Sequence, residues 1–242
     1  MGIFTSFINM ILPPRCIKCG NMLSEHNGLC PDCFNLIKFI SEPICNICGT
    51  PLNNEKNLNI SKKYICANCL KEKKKLFDIK RSAFIYDDSS KKLILDLKFN
   101  DKTINAEILS NMMYSAGKDI WKENPDIIIA VPLHKLRFIK RKYNQSILLA
   151  KNLSKKTKIP VDYSSLIRSE NTIPQVKLSG KARLNNLKNA FIVKNPINIE
   201  NKKIVLIDDV ETTGSTLREC AKVLKRAGAK NIYALTIART EI

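Results

Sequence analysis

No apolar run in this sequence approaches the roughly 18 residues that a membrane span needs, so an integral membrane protein is not expected. The opening stretch from Met1 to Pro14 is apolar but lacks a basic leading region and a small-residue cleavage site, so a signal peptide is not expected either. Gly2 with Ser6 fits a myristoylation pattern short enough to arise by chance. Phe4, Phe7, Ile8 and Ile11 fall at helical spacing and predict a short helix packed on the body. Acidic residues are scarce: 22 Asp and Glu face 41 Lys and Arg, for a formal net charge of +19. That excess can steer nucleic acid or a polyphosphate to the protein, and lysine-rich surfaces hold phosphate without specificity. Lys far outnumbers Arg, a bias that composition alone produces, so the charge permits nucleic-acid contact without requiring it.

Cysteine, by contrast, is plentiful. Eight of the nine cysteines fall into four C-x-x-C pairs, a spacing that reads as metal ligation in a cytosolic protein rather than as a disulfide scaffold. Cys16 and Cys19 precede Gly20 and are followed by Cys30 and Cys33. Cys45 and Cys48 precede Gly49 and are followed by Cys66 and Cys69. Each turn places two thiolates on one ion, and two turns close a tetrahedral four-cysteine site. The unit occurs twice, as a repeated zinc ribbon, and two structural Zn²⁺ ions are assigned to these two sets. Iron is also accepted by all-thiolate sites, and interleaved pairing of the four turns is a second arrangement. A segment this short has little core, so metal supplies much of its folding free energy. A closed site has no open coordination position, which points to structure or binding rather than catalysis. His26 lies inside the first ribbon, where four cysteines already suffice, and Cys220 reads as a core thiol.

Composition shifts near residue 75. Residues 1–75 form the N-terminal helix and double ribbon, and residues 76–242 alternate apolar strands with helical patterns. Strands are predicted over 82–86, 127–131, 203–207 and 232–237, and helices over 91–98, 104–120, 145–155 and 215–227, the last ending at Gly228. This order predicts an α/β fold with a parallel sheet flanked by helices, preceded by the small double zinc-ribbon module. At the end of the third strand two carboxylates, Asp208 and Asp209, precede a turn of Thr212, Thr213, Gly214, Ser215 and Thr216 and then a helix. Such a crevice at the carboxyl end of a parallel sheet is where these folds bind ligands. Backbone N–H groups, hydroxyls and the helix dipole there suit a phosphate, and Gly214 lets it approach closely. Adjacent carboxylates suit the vicinal hydroxyls of a ribose and the field of a Mg²⁺ ion bound to them. The competing reading is a strand-turn-helix of an unrelated doubly wound fold.

Residues 204–216 resemble the signature of type I phosphoribosyltransferases. With the paired ribbons, nearly the whole chain resembles the ComF family of competence proteins. Matching pieces are the run from Leu12 to Cys16, Leu97-Lys98-Phe99, the run from Val131 to His134, Arg141 with Tyr143, Asn144 and Gln145, Thr172 with Pro174 and Gln175, Leu178-Ser179, and Arg183 with Asn186. The resemblance implies a type I phosphoribosyltransferase-like domain that binds phosphoribosyl pyrophosphate. It places Asp208 and Asp209 as catalytic residues, residues 212–216 on the 5′-phosphate, and a pyrophosphate loop over 131–144 with Arg137 and Arg141 as cations. The stretch from Arg168 to Arg183 resembles a hood that closes over the reacting centre. Two departures stand out: Lys142 replaces the family's usual glycine, and Thr212 stands where several base-salvage enzymes carry an acid, with Glu211 one residue earlier.

Three functions follow. One is the family's role in natural transformation: cytoplasmic handling of incoming single-stranded DNA, with competence proteins such as a DNA-translocating helicase as partners. Another is a true phosphoribosyltransferase of unknown acceptor, with Mg²⁺ and the cationic loop stabilising departing pyrophosphate. The third is a ligand sensor without catalysis. Aromatic residues suited to base stacking are few, and Phe34, Phe39, Tyr64 and Phe77 fit ribbon or interface core.

Overall fold

The computed structural model describes residues 13–24, 28–52, 64–72, 75–99, 104–133, 143–168 and 190–241. The predicted N-terminal helix, His26, Arg137, Arg141, Lys142 and residues 169–183 of the hood lie outside them. Seven strands are described: β1 (Ile79–Ile85), β2 (Ile127–Ala130), β3 (Val161–Asp162), β4 (Leu166–Arg168), β5 (Phe191–Val193), β6 (Lys203–Glu211) and β7 (Asn231–Arg239). The helices are α1 (Pro31–Asn35) and α2 (Ala67–Lys71) in the ribbons, then α3 (Asp88–Phe99), α4 (Ile104–Ala116), α5 (Lys118–Lys122), α6 (Gln145–Thr157) and α7 (Ser215–Arg226). Among the described residues no helix is long and apolar enough to cross a membrane.

Five strands form one sheet in the order β1-β7-β6-β2-β3, and every pairing in it is parallel. A parallel sheet is covered on both faces, so its central strands are apolar throughout. In β6, Val205 and Ile207 enter the core on one face, while Ile204 and Leu206 enter the core on the other. The period-2 geometry of a strand produces this split. The first core joins the sheet to α3, α4 and α6. The second joins it to α7, Phe191 of β5, and Leu76 and Phe77 ahead of β1.

Three differences from the sequence reading have local causes. The helix predicted over 104–120 breaks at Gly117 into α4 and α5, where a Cβ would lie 3.1 Å from the Leu235 side chain and 3.2 Å from the Trp121 ring. Strand β6 runs past Ile207 to Glu211 because Asp208, Val210 and Glu211 pair with Thr236, Ala238 and Arg239 of β7. Finally, β4 and β5 form a separate antiparallel pair, too short for periodicity to reveal.

The ribbons join the sheet intimately. Cys16, Cys30, Cys33 and Ile37 of the first ribbon belong to the same core as α3 and α4. The outer edge of β1 is covered by the segment between the ribbons and by the second ribbon. Ile40 N donates to Ala83 O, Ile85 N to Lys38 O and Lys80 N to Ile47 O. Phe39 pairs with Phe84 as an isolated bridge and meets its ring edge to face.

Candidate phosphate site and metal centres

The four sulfurs of Cys16, Cys19, Cys30 and Cys33 all lie within 4.8 Å of one another, as do those of Cys45, Cys48, Cys66 and Cys69. Each ribbon therefore closes on its own two turns, and the interleaved alternative is not formed. Local geometry explains the thiolates. Burial pushes the Cys16 thiol up, but the amides of Cys19, Cys30 and Lys18 outweigh it and bring it down to about 6. Cys48 also reaches about 6, with burial again opposed by hydrogen bonds, first from the Thr50 hydroxyl and amide. Burial and the neighbouring sulfurs push Cys33 up to about 12. A cation among four sulfurs this close would hold all of them as thiolates, and two all-cysteine tetrads fit structural Zn²⁺. Cys220 is a fully buried core thiol on α7.

The second ribbon is tied to the sheet by buried cations. Arg81 of β1 donates to the carbonyls of Asn46 (3.0 Å) and Lys80 (2.7 Å) and forms an ion pair with Asp119. Arg239 of β7 donates to Cys48 O at 2.6 Å. Lys80 forms an ion pair with Glu211, whose side chain is 5% exposed.

Glu211 lies directly before the turn that follows β6. Gly214 there has φ 70°, and a Cβ on it would sit 2.8 Å from Glu211 Oε1, so glycine is required on both counts. Gly214 is the N-cap of α7 and offers no capping side chain. The Ser215 N–H makes a long bond to Thr213 Oγ1 at 3.4 Å, and the N–H groups that follow it in the first turn of α7 can serve a ligand, with the helix dipole behind them. Thr212 and Thr213 are exposed, and the Thr213 and Ser215 hydroxyls lie 2.8 Å apart on this rim. Together, residues 212–216 form a turn of amides and hydroxyls suited in chemistry to a phosphate.

Asp208 and Asp209, both largely covered, stand in the last half of β6 ahead of the cradle. The Asp208 carboxylate accepts from Ser146 Oγ at 3.1 Å and from the Asp209 amide at 2.9 Å. Burial first, and the Asp209 charge second, push Asp208 from 3.8 up to about 7. Asp209 forms an ion pair with Lys98 of α3 at 3.0 Å. Ser146 is placed by Asn144, which caps α6 through its side chain and donates to Val131 O at 3.1 Å. Tyr143 fixes the neighbouring turn by donating to Leu97 O at 2.6 Å. Lys98 and Ser146 are thus site residues to which sequence reasoning gave no role, although Lys98 stands in a quoted motif; Asn144, expected only as the end of the pyrophosphate loop, positions Ser146. The carboxylate pair can accept from a diol and favour a divalent cation. Glu211, in contrast, is buried and paired with Lys80.

The double zinc ribbon domain family matches residues 7–70, and the phosphoribosyl transferase domain family matches residues 143–241. Competence protein F of Haemophilus influenzae is 36% identical over 93% of this chain and 96% of its own length. DNA utilization protein YhgH of Escherichia coli K12 is 30% identical, covering 96% of this chain and 99% of its own. Competence protein ComFC of Bacillus subtilis is 29% identical, covering 90% and 87%. Among solved structures, a hypoxanthine phosphoribosyltransferase from Staphylococcus aureus aligns with 57% of this chain and 68% of its own, at 16% identity and a TM-score of 0.39.

Proposed function

This chain belongs to the ComF family of competence proteins, and we propose on that premise that it handles single-stranded DNA in natural transformation, on the cytoplasmic side, while binding phosphoribosyl pyrophosphate or a related ribose phosphate. The observation that carries the ligand is the uncapped start of α7 beside Asp208 and Asp209. Residues 212–216 take the 5′-phosphate, and the two carboxylates take the ribose hydroxyls. Mg²⁺, when bound, neutralises pyrophosphate charge next to that diol. Lys98 balances the carboxylate pair until the ligand arrives. Arg137 and Arg141 serve the pyrophosphate end. The DNA role is supported by the names of the relatives and by the net charge of +19.

The closed ribbons act through contacts, not chemistry. Met22, Phe34, Leu36 and Leu70 are each more than half exposed on them, a display of apolar side chains that suits a protein partner such as a DNA-translocating helicase. A second reading is transfer of the ribose phosphate to an acceptor, with pyrophosphate leaving from C1. The carboxylate pair and cradle favour it; the buried, Lys80-paired Glu211 leaves the acceptor side without the acid that several base-salvage enzymes use. A pyrophosphate-release screen against bases and amines separates this reading from binding alone.

The decisive test is thermal stabilisation by phosphoribosyl pyrophosphate with Mg²⁺. A shift in the parent that vanishes in the Asp208→Ala, Asp209→Ala double variant is expected. No shift in the parent removes the ligand assignment.

A further inference from the structure

The far end of α6 carries a surface that neither the cradle nor the ribbons use. Lys151, Lys155 and Lys156 are exposed there, and aromatic rings flank them. Lys151 Nζ lies over the Tyr163 ring, 5.7 Å from its centroid, and Lys156 Nζ lies over Tyr114 at 5.9 Å. Tyr114 stacks on Trp121, with centroids 6.1 Å apart and 18° between the planes. Trp121 Nε1 donates to Tyr114 O at 2.9 Å, which fixes the pair. Tyr163 is 51% exposed and Tyr114 40%, so both rings reach solvent beside their lysines. Between α4 and α6 a groove of about 560 Å³ is lined by Lys151, Lys155, Leu148 and Tyr163, with Glu107 as its carboxylate.

Lysines in the last turn of a helix complement its dipole, which accounts for Lys155 and Lys156 but not for the rings beside them. Flat rings alternating with ammonium groups match an unpaired strand: bases stack on the rings while phosphates meet the cations. A duplex keeps its bases stacked inside and offers the rings nothing.

We propose that this face of the sheet domain binds single-stranded DNA, with bases against Tyr163 and the Tyr114–Trp121 pair and phosphates on Lys151, Lys155 and Lys156. The assignment rests on the single-strand reading above and adds where the strand lies. Ser146, which meets Asp208, is at the opposite end of α6. Ten residues of helix, about 15 Å, separate it from Lys156, so strand and ribose phosphate take separate places.

Trp121 is the chain's single tryptophan, so its emission reports on this face alone. Titrating zinc-loaded protein with oligothymidylate is expected to quench that emission saturably. Tyr163→Ala should weaken binding about tenfold, and Tyr163→Phe should restore it. Lys151→Ala with Lys155→Ala should flatten the log affinity against log salt slope by about 1.4. Unchanged melting temperatures confirm that these surface variants fold. Binding by the parent with silent Trp121 emission, and with unchanged affinity and salt slope in the variants, would overturn this face and leave the DNA reading standing. Equal binding and quenching by a duplex of the same sequence would overturn the stacking arrangement. No binding by the parent at all would sink the DNA reading itself, and the face with it.

Discussion

Replacing Asp208 with Asn should make the protein more stable and abolish its Mg²⁺-dependent response to phosphoribosyl pyrophosphate. The Asp208 carboxyl is held at about 7 in the fold against 3.8 for the free side chain, mainly by burial and then by Asp209. That rise corresponds to about 4 kcal/mol of disfavoured ionisation at pH 8. It is an upper bound, because the Asp208 side chain keeps some contact with solvent, which screens its charge. Asn has nearly the same shape, can still accept from Ser146, and carries no charge. A gain of about 2 to 4 kcal/mol is expected at pH 8, or roughly 5 to 15 °C in melting temperature. The sign follows from proton uptake. Between about pH 4 and 7 the folded parent binds more protons at Asp208 than the unfolded chain, so its stability falls as pH rises. The loss is complete above the folded pKa. Urea unfolding of parent and variant at matched zinc should therefore show the gap growing by about 1.4 kcal/mol per pH unit from pH 5.5 to 7 and levelling above that. Loss of zinc in acid acts on both proteins and cancels in the difference. A variant no more stable than the parent at pH 8, or a gap that does not change with pH, would refute the reasoning.

Other perturbations test the surroundings of the cradle. Gly214→Ala imposes φ 70° on a side chain and places its Cβ 2.8 Å from the Glu211 carboxylate; a loss of about 1 to 3 kcal/mol in unfolding experiments and weaker ligand-induced stabilisation are expected. Glu211→Gln leaves half-buried Lys80 without its counter-charge and should cost about 1 to 3 kcal/mol by urea unfolding. Metal analysis should return about two Zn per chain. Cys45→Ser should lower that to one and free Arg81 and Arg239 from the second ribbon, read as faster hydrogen exchange along β1 and the end of β7.

The sheet was legible because its central strands are apolar throughout, and Ile127 to Ala130 and Ile204 to Ile207 need no tertiary context to be recognised. The metal centres were legible because ligand spacing is local: each turn carries two sulfurs, and the structure settles only which turns join. The cradle was legible for the same reason, since Asp208 to Thr216 is one continuous segment. What escaped was assembled from distant parts of the chain. Lys98 reaches Asp209 and Ser146 reaches Asp208 across more than 50 residues of sequence, and no periodicity links them. The role of Glu211 was hidden likewise, because its partner, Lys80, lies on the edge strand.

The place of β1 has a consequence for how the molecule is built and how it can be cut. This strand is covered by ribbon-side backbone on one edge and paired on the other with β7, the last strand in the chain. During synthesis it must wait about 150 residues for that second partner, and contacts so distant in sequence make folding slow. Until then the ribbons are its only shield. Removing residues 1–75 would strip that shield and leave β1 as a bare sheet edge, a template for pairing with other copies. The isolated sheet domain is thus expected to aggregate, and the ribbons act in part as an internal chaperone for the strand they cover.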